Sequence, residues 1–197
     1  MTDPLADLPI RCLDHLQALA DQPAPLAYVD LDAFEANAAS LLSQAGTLPI
    51  RVASKSLRCT TLIQHALGLH PRVQGAMAFT VREALHLAEQ GVNDVLIAYP
   101  SVDAGALADL AEFLRDHPDQ VVRPMVDDLA QVTLIAAAAN GANIEMPVCV
   151  DVDTAWRPFG GRGPAIGARR SPLREPEQVA AFVAQATATP GVRIDGL

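Results

Sequence analysis

Residues 73–98 read VQGAMAFTVREALHLAEQGVNDVLIA, and this stretch decides the fold class of the chain. It opens with a short apolar run, Val73–Ala78, and it closes with a second one, Asp94–Ala98. Between these runs, apolar side chains recur from residue 81 to residue 88 at the i, i+3, i+4 and i+7 spacing of an amphipathic helix. A strand, a helix and a strand joined by short links predict a βαβ unit and therefore a parallel sheet.

The ends of this helix carry their own signals. Thr80 is followed three residues later by Glu83, which is the spacing of a capping box, and Gly91 suits the position after the last turn. The same alternation continues along the chain. Further strands are predicted at Leu26–Val29, Ile50–Ser54, Val121–Val126, Met146–Val152 and from Val192 onwards. Further helices are predicted at Cys12–Leu19, from Ala33 with Asp32 as N-cap, at Thr60–Leu67, at Asp103–Arg115, from Asp127 or Asp128 to Gly141, and at Pro176–Ala188.

From Ile50 onwards, the pattern predicts six parallel strands connected by five helices. This arrangement fits either a doubly wound open sheet or a (β/α)8 barrel, and the strand spacing alone leaves both open. No GxGxxG, GxxxxGKS or GxxxxGKT segment follows a strand. The main reason to prefer a nucleotide-binding open sheet is therefore missing.

The composition excludes several classes of partner. Half of the 197 residues are hydrophobic and the net charge is −9, so the chain lacks the basic surface that nucleic acids and anionic membranes require. No apolar run approaches the ~20 residues of a membrane span, and the first residues do not resemble a signal peptide. Cys12, Cys59 and Cys149 form no CxxC pair, as expected for reduced thiols. These features predict a cytoplasmic α/β protein.

Lys55 is the residue whose placement points most directly to chemistry. It is the only lysine in the chain, and it directly follows the predicted strand Ile50–Ser54. In α/β barrels, catalytic residues lie at the carboxyl ends of the strands. A lysine amine at that edge can attack a carbonyl group and form a Schiff base, which an arginine cannot do. The alternative is chance placement in an arginine-rich composition, and position alone leaves the two evenly balanced.

A long loop after the strand that begins at Met146 is the second candidate. Five of the thirteen arginines fall between residues 157 and 174, with no acidic residue among them. About twenty residues without periodicity is long for a link between a strand and a helix, and such loops are usually functional or disordered. Because guanidinium groups match carboxylates and phosphates, the loop as a whole predicts binding of an anion or of a second subunit. The alternative is a solvated loop whose arginines pair with surface acids. The five histidines show no metal-ligand spacing, so no metal is predicted.

Two early segments resemble PLP (pyridoxal 5'-phosphate) enzymes of the alanine racemase fold. Residues 27–37, AYVDLDAFEAN, followed by a strand that ends in a lysine, are similar to the start of that family's barrel. Residues 81–100, from the capped helix to Ala98-Tyr-Pro100, resemble its next two units.

Two later segments extend this resemblance. Asp153-Thr154, followed by Arg157 and Gly160, is similar to the family's D-T-x-x-x-R-x-G segment, with one residue fewer before the arginine. The run GARRSP at residues 167–172 resembles the amino acid deaminase/aldolase branch, which is close to D-threonine aldolase. The resemblance covers roughly residues 25–197, and its specificity comes from the ordered set of motifs.

The resemblance implies a fold and a site. It implies a (β/α)8 PLP-binding barrel of the alanine racemase N-terminal type over residues 26–197, with about six of its eight strands present, after an N-terminal extension over residues 1–25. It implies that Lys55 forms the covalent bond to PLP and that Arg157 contacts the cofactor ring oxygen or the substrate carboxylate. For the full-length protein it implies a C-terminal β-domain and a homodimer with composite sites.

The resemblance also implies chemistry at the α-carbon of an amino acid substrate, with PLP as the electron sink. D-threonine aldolase-like cleavage of 3-hydroxy amino acids is the leading interpretation, and racemisation is the alternative within the same class. A non-catalytic PLP-binding protein of vitamin B6 homeostasis is a different class; its short length fits better and its motifs around the lysine fit less well. A barrel fragment without a cofactor is the third possibility. By itself, the 197-residue chain is expected to be inactive, because the second catalytic group and the phosphate loops would lie beyond Leu197.

Overall fold

The computed structural model describes residues 10–158 and 164–197. Within this part of the chain, six strands form one sheet: β1 (Ile50–Ala53), β2 (Val73–Ala78), β3 (Val95–Ile97), β4 (Val122–Val126), β5 (Met146–Val150) and β6 (Val192–Gly196). The same residues contain eight helices: α1 (Ile10–Ala18), α2 (Leu31–Gln44), α3 (Ser54–Leu57), α4 (Thr60–Leu69), α5 (Val81–Glu89), α6 (Ala104–Asp116), α7 (Leu129–Gly141) and α8 (Pro176–Thr187).

The order of the strands in the sheet is their order along the chain. Each strand pairs in parallel with the next one, as Ala76 of β2 does with Val95 of β3 and Val95 with Val122 of β4. At least one helix lies between each pair of consecutive strands. The predicted alternation of six parallel strands and connecting helices from Ile50 is therefore confirmed, and the chain has an α/β fold.

Side-chain caps fix where the helices begin. The predicted capping box at α5 is confirmed, because the Glu83 amide donates to the Thr80 hydroxyl at 3.1 Å and the Phe79 amide donates to the Glu83 carboxylate at 2.6 Å. Helix α7 takes the second of its two predicted caps, since the amide of Ala130 donates to Asp128 Oδ1 at 2.7 Å. The two caps set the orientation of helices that cover the sheet.

The predicted start of α2 is wrong by two residues. The helix begins at Leu31, because the amide of Ala33 donates to Oδ1 of Asp30 at 2.9 Å and makes Asp30 the cap. Asp32 lies in the first turn, where a negative charge is favourable near the helix N-terminus. The strand predicted over residues 26–29 is also absent; three of its four side chains, those of Leu26, Tyr28 and Val29, remain more than 40% exposed, so they contribute no buried face.

The hydrophobic core lies between the sheet and the helices that cover one of its faces. In β4, Val122, Pro124 and Val126 are buried, whereas Arg123 and Met125 are only half-buried. This alternation arises because successive side chains of a strand point to opposite faces of the sheet. The buried face packs against apolar residues of helices α5, α6 and α7 in one continuous cluster.

Ion pairs connect strands on the half-buried face. Arg51 of β1 donates to the carbonyl oxygen of Asp94 at 2.6 Å and to its carboxylate at 3.0 Å. Arg123 of β4 pairs with the other carboxylate oxygen of Asp94 and also with Asp195 of β6. Burial disfavours the charged form of Arg123, but its two carboxylate partners outweigh this effect and raise its pKa above the ordinary value. One set of charges therefore ties β1 to β4 and β4 to β6.

The chain divides into two compact units, residues 1–39 and residues 40–197. In the first unit, His15 Nε2 lies 3.3 Å from Asp30 Oδ2, and its ring meets the ring of Tyr28 edge-on. The second unit holds the whole sheet, whose outer strands are β1 and β6. The boundary at residue 25 stays a prediction. None of the helices in residues 10–158 and 164–197 is long and apolar enough to cross a membrane.

Gly75 in β2 occupies a position that has no room for a side chain. Its φ is +68°, and a Cβ atom there would lie 2.0 Å from the carbonyl oxygen of Asp94 and 2.6 Å from Arg51 Nη1. Gly91 is a matched control, because its φ is +84° and nothing lies within 4 Å of its Cβ position.

We expect Gly91→Ala to lower the free energy of unfolding by about 1–2 kcal/mol through backbone strain alone. Gly75→Ala should lower it by about 1–3 kcal/mol more, because the Cβ atom also displaces the Arg51–Asp94 contact. Denaturant unfolding of the native protein and both variants measures the difference. Equal losses in the two variants would contradict the close approach of these strands.

Candidate active site

The residues that follow β1, β2, β3 and β5 lie at the same edge of the sheet, because the carboxyl ends of parallel strands meet there. Phe79 directly follows β2 and Asp151 directly follows β5. Ser54 separates Lys55 from β1, and Ala98 separates Tyr99 from β3. These four side chains and the loop that follows β5 form the candidate site.

A one-turn helix holds Lys55. The sequence predicted Ser54 as the last residue of a strand, but Ser54 begins α3. Its buried hydroxyl donates to the carbonyl oxygen of Met77 in β2 at 3.0 Å. Arg58 ends the turn in the left-handed conformation, with φ of 49°, and its Nε donates to the carbonyl oxygen of Lys55 at 3.0 Å. The backbone of Lys55 is therefore fixed on both sides, while its side chain is exposed.

The amine of Lys55 contacts Tyr99. Its Nζ lies 3.3 Å from the phenol oxygen of Tyr99 and 5.7 Å from the centre of the ring. On the described part of the chain, no carboxylate lies within ion-pair distance of Lys55. The amine at the end of β1 is thus positioned by a phenol and is not neutralised by an acid.

Two other side chains pack on the Tyr99 ring. The ring of Phe79 lies 4.7 Å away, centre to centre, at a tilt of 57°. The guanidinium carbon of Arg170 lies 4.9 Å from the ring centre, within the range of a cation–π contact. Tyr99 is therefore the point at which the ends of β1, β2 and β3 meet the loop after β5.

The cations beside Tyr99 change its acidity. The hydrogen bond with Lys55 and the positive charge of that amine hold the pKa of the Tyr99 phenol below its ordinary value of 10.0, and Arg170 adds to the effect. Partial desolvation opposes this shift and is outweighed. The phenol therefore gives up its proton more readily than a free tyrosine does.

Two pockets adjoin these side chains, and Phe79 and Thr80 line both. The first has a volume of about 520 Å3 and is lined by Lys55, Ser56, Arg58, Phe79, Thr80 and Glu83. The second has a volume of about 420 Å3, and its lining includes Tyr99 and Ser101, which follow β3. Both volumes are in the range of small-molecule sites.

Arg157 lies in the loop after β5 and is held within that loop. Its guanidinium donates to Asp153 Oδ2 at 2.5 Å and to the carbonyl oxygen of Ala155 at 3.0 Å. The amide of Ala155, followed by Arg157, holds the pKa of the Asp153 carboxyl below its ordinary value. The structure does not bring Arg157 into contact with Lys55, so its predicted role at the cofactor stays a prediction. Gly160, the last member of the predicted motif, lies outside the described residues.

Asp151 has an unusual environment at the end of β5. Its Oδ2 is buried without a hydrogen-bond partner, and burial raises the pKa of its carboxyl above the ordinary value. The positive charge of Arg170 opposes this shift, whereas Asp127 and Asp153 add to it. In the described ranges, no three His, Cys, Asp or Glu side chains form a cluster that could hold a metal ion.

The sequence did not single out Tyr99, Arg170 or Asp151 individually. Tyr99 directly follows the predicted strand Asp94–Ala98, the same positional signal that identified Lys55. Asp151 carried no such signal, because the predicted strand ran to Val152 and the observed one ends at Val150. Arg170 is one of five loop arginines, and nothing in the sequence distinguishes it from Arg169. Its contact with Tyr99 joins residues that are distant along the chain.

The fold defines a class: an α/β domain whose six-stranded parallel sheet matches the barrel region of alanine racemase-like proteins. The chain belongs to the alanine racemase N-terminal domain family, whose model matches residues 29–197. This is the N-terminal domain of fold type III PLP enzymes. No match was found among curated proteins.

Solved structures share this fold. The D-threonine aldolase of Filomicrobium marinum is 25% identical, with a TM-score of 0.75 over 91% of this chain and 44% of that one. The D-threo-3-hydroxyaspartate dehydratase of Delftia sp. HT23 is 22% identical, with a TM-score of 0.63 over 89% and 43%. The lysine/ornithine decarboxylase of Vibrio vulnificus is 17% identical, with a TM-score of 0.68 over 96% and 46%. The chain thus spans less than half the length of each.

The side chains at the carboxyl edge fit PLP, which this family typically binds. PLP carries an aldehyde and negatively charged oxygens, so a fitting site needs a primary amine and guanidinium groups. Lys55 supplies an exposed amine without a carboxylate partner, and Arg157 retains N–H groups beyond those that bind Asp153 and Ala155. Lys55 would hold the aldehyde carbon and Arg157 an anionic oxygen.

The shifted acidity of Tyr99 can be tested directly. Because Lys55 is the largest cause of the shift, we expect Lys55→Met to raise the pKa of Tyr99 towards 10.0, and Arg170→Gln to raise it less. Ultraviolet titration of the phenolate in the native protein without PLP, with Tyr99→Phe subtracted, measures the ionisation of this one tyrosine. Arg169→Gln, which removes a neighbouring charge with no part in the shift, should leave it unchanged. A titration midpoint that Lys55→Met does not move would disprove the Lys55–Tyr99 contact.

Proposed function

We propose that the native protein is a PLP-dependent enzyme that acts at the α-carbon of amino acids, as a D-threonine aldolase-like lyase of 3-hydroxy amino acids. The observation that carries the proposal is the exposed Lys55 amine at the end of β1, held 3.3 Å from a phenol oxygen. The similarity to the Filomicrobium marinum D-threonine aldolase, at 25% identity over 91% of this chain, supports the choice of reaction.

Lys55 needs a neutral amine in order to form a bond with an aldehyde carbon, because the ammonium form has no lone pair. The Tyr99 oxygen lies within hydrogen-bond distance of Nζ and holds the amine at the end of β1. The phenol oxygen can accept a hydrogen bond from this amine in either of its protonation states. Tyr99 is thus the residue that positions Lys55.

PLP, when bound, supplies an electron sink for the negative charge that builds at the α-carbon as one of its bonds breaks. The arginines of the loop after β5 add positive charge to a site that lies in an acidic chain. Asp151, whose buried Oδ2 has no hydrogen-bond partner, is a candidate to hold a proton at the same edge of the sheet.

Racemisation is the second candidate, since the family model that matches residues 29–197 is that of alanine racemase. The two reactions give different products from D-threonine. Aldol cleavage yields glycine and acetaldehyde, whereas racemisation at the α-carbon inverts its configuration and releases no aldehyde. Incubation of the PLP-loaded native protein with D-threonine, followed by aldehyde detection and chiral chromatography, distinguishes them. Loading without either product would support a non-catalytic PLP-binding protein.

We expect Lys55 to carry the cofactor. Borohydride reduction of the PLP-loaded native protein should leave a pyridoxyl group on the peptide that contains Lys55, detected by mass spectrometry. Lys55→Arg keeps the positive charge beside Tyr99 but lacks the primary amine, so it should show no adduct at this position. An adduct at any other position, or none, would contradict the proposed function.

We expect Arg157→Ala to weaken PLP binding by roughly ten- to a hundred-fold, because it removes a charge-assisted hydrogen bond worth about 1.5–3 kcal/mol. Fluorescence titration with PLP measures the dissociation constant. The substitution also removes the partner of the buried Asp153 carboxylate, so the unfolding temperature without PLP must be measured in parallel. Arg169→Ala is the matched control. Unchanged PLP affinity with a lowered unfolding temperature would assign Arg157 a role in the loop alone.

A further inference from the structure

Arg170 lies on a loop that is tied down on both sides. On one side, Ile166 and Trp156 form an antiparallel bridge with two backbone hydrogen bonds of 2.8 Å. On the other side, the buried hydroxyl of Ser171 donates to the carbonyl oxygen of Asp151 at 2.6 Å. Arg170 directly precedes this anchor, so its backbone is held near the end of β5 while its side chain is exposed.

The charge of Arg170 is left without a carboxylate partner. Its guanidinium contacts the ring of Tyr99 at 4.9 Å, and no ion pair to it exists among residues 10–158 and 164–197. Arg157 in the same loop is different, since it is paired with Asp153 at 2.5 Å. Asp151 is close enough to feel the charge of Arg170, but its Oδ2 makes no hydrogen bond. Arg170 is therefore free to bind an external anion.

Tyr99 contacts both this guanidinium and the amine of Lys55. Both cations contact the same phenol, with Nζ of Lys55 5.7 Å and the guanidinium carbon of Arg170 4.9 Å from the ring centre. An α-amino acid carries its amino group and its carboxylate on one carbon atom. A substrate whose nitrogen approaches the position of Lys55 Nζ therefore has its carboxylate carbon two bonds away, so that the carboxylate can turn towards the guanidinium on the same ring.

We propose that Arg170 binds the α-carboxylate of the amino acid substrate, and that the Tyr99 ring holds its guanidinium in place for this contact. The inference rests on the proposed function and adds a residue that selects amino acids over amines. A guanidinium presents two parallel N–H groups to a carboxylate, which gives both charge and direction. An amine of the same shape without the carboxylate gains nothing from this residue.

Two ligands distinguish recognition of the carboxylate by Arg170 from an effect of Arg170 on ligand binding in general. D-threonine and 1-amino-2-propanol differ in the carboxylate alone, so the ratio of their dissociation constants reports on its recognition. Each ligand is titrated into the PLP-loaded native protein, and the early absorbance change of the cofactor after rapid mixing gives the dissociation constant. Arg170→Gln should weaken D-threonine binding about ten- to a hundred-fold, with the amine unchanged within about twofold. The D-threonine dissociation constant of Arg170→Lys should lie between those of wild type and Arg170→Gln, because lysine keeps the positive charge and lacks the two parallel N–H groups.

Arg169→Gln is the matched control, since it removes an exposed arginine one residue away and should change neither dissociation constant. Equal weakening of both ligands in Arg170→Gln, or weakening of neither, would overturn the inference while leaving the Lys55 adduct intact. If wild type binds the amine as tightly as D-threonine, or binds neither, the carboxylate is not recognised and the inference is also overturned. Absence of the Lys55 adduct would overturn the proposed function, and the inference with it.

Discussion

The carboxylate of Asp94 lies between two guanidinium groups, those of Arg51 in β1 and Arg123 in β4. Arg51 reaches it across β2, which is possible because Gly75 has no side chain at the crossing point. Each of these partly exposed pairs is worth little by itself, but Arg123 also binds Asp195 of β6, so the charges act as a network. The relative positions of β1, β3, β4 and β6 depend on this set of contacts.

The network and the candidate site divide the sheet by function. Asp94 directly precedes β3, whereas Tyr99 lies just after the same strand. The short strand Val95–Ile97 therefore separates Asp94 and its ion pairs from the candidate active site. In α/β barrels the amino-terminal edge serves stability and the carboxyl edge serves chemistry. At the carboxyl edge, Lys55 and Arg170 have no carboxylate partners among the described residues.

The sequence predicted the fold better than the site. Buried parallel strands are apolar runs, so Val73–Ala78 was predicted with the bounds that the structure shows, and the other strands of the sheet differed by at most two residues at either end. The strand predicted over residues 26–29 does not form, because its side chains are exposed. The start of α2 was missed because Asp30 and Asp32 are both good caps, and only backbone geometry chooses between them. Lys55 could be found from its position after a strand. Arg170 could not, because its contact with Tyr99 depends on how a twenty-residue loop folds back, which local patterns do not encode.

The strict order of the strands has a consequence for synthesis on the ribosome. Each strand pairs with the one made just before it, so every newly emerged segment finds its partner already in place. Pairing between sequence neighbours keeps the segments that must close shorter than in a sheet whose adjacent strands are distant along the chain, which lowers the entropy cost of closing them. The Lys55–Tyr99 contact can form once about half of the 197 residues have been synthesised. Arg170 is synthesised only after β5. These contacts thus form in order along the chain, from the end of β1 to the loop after β5.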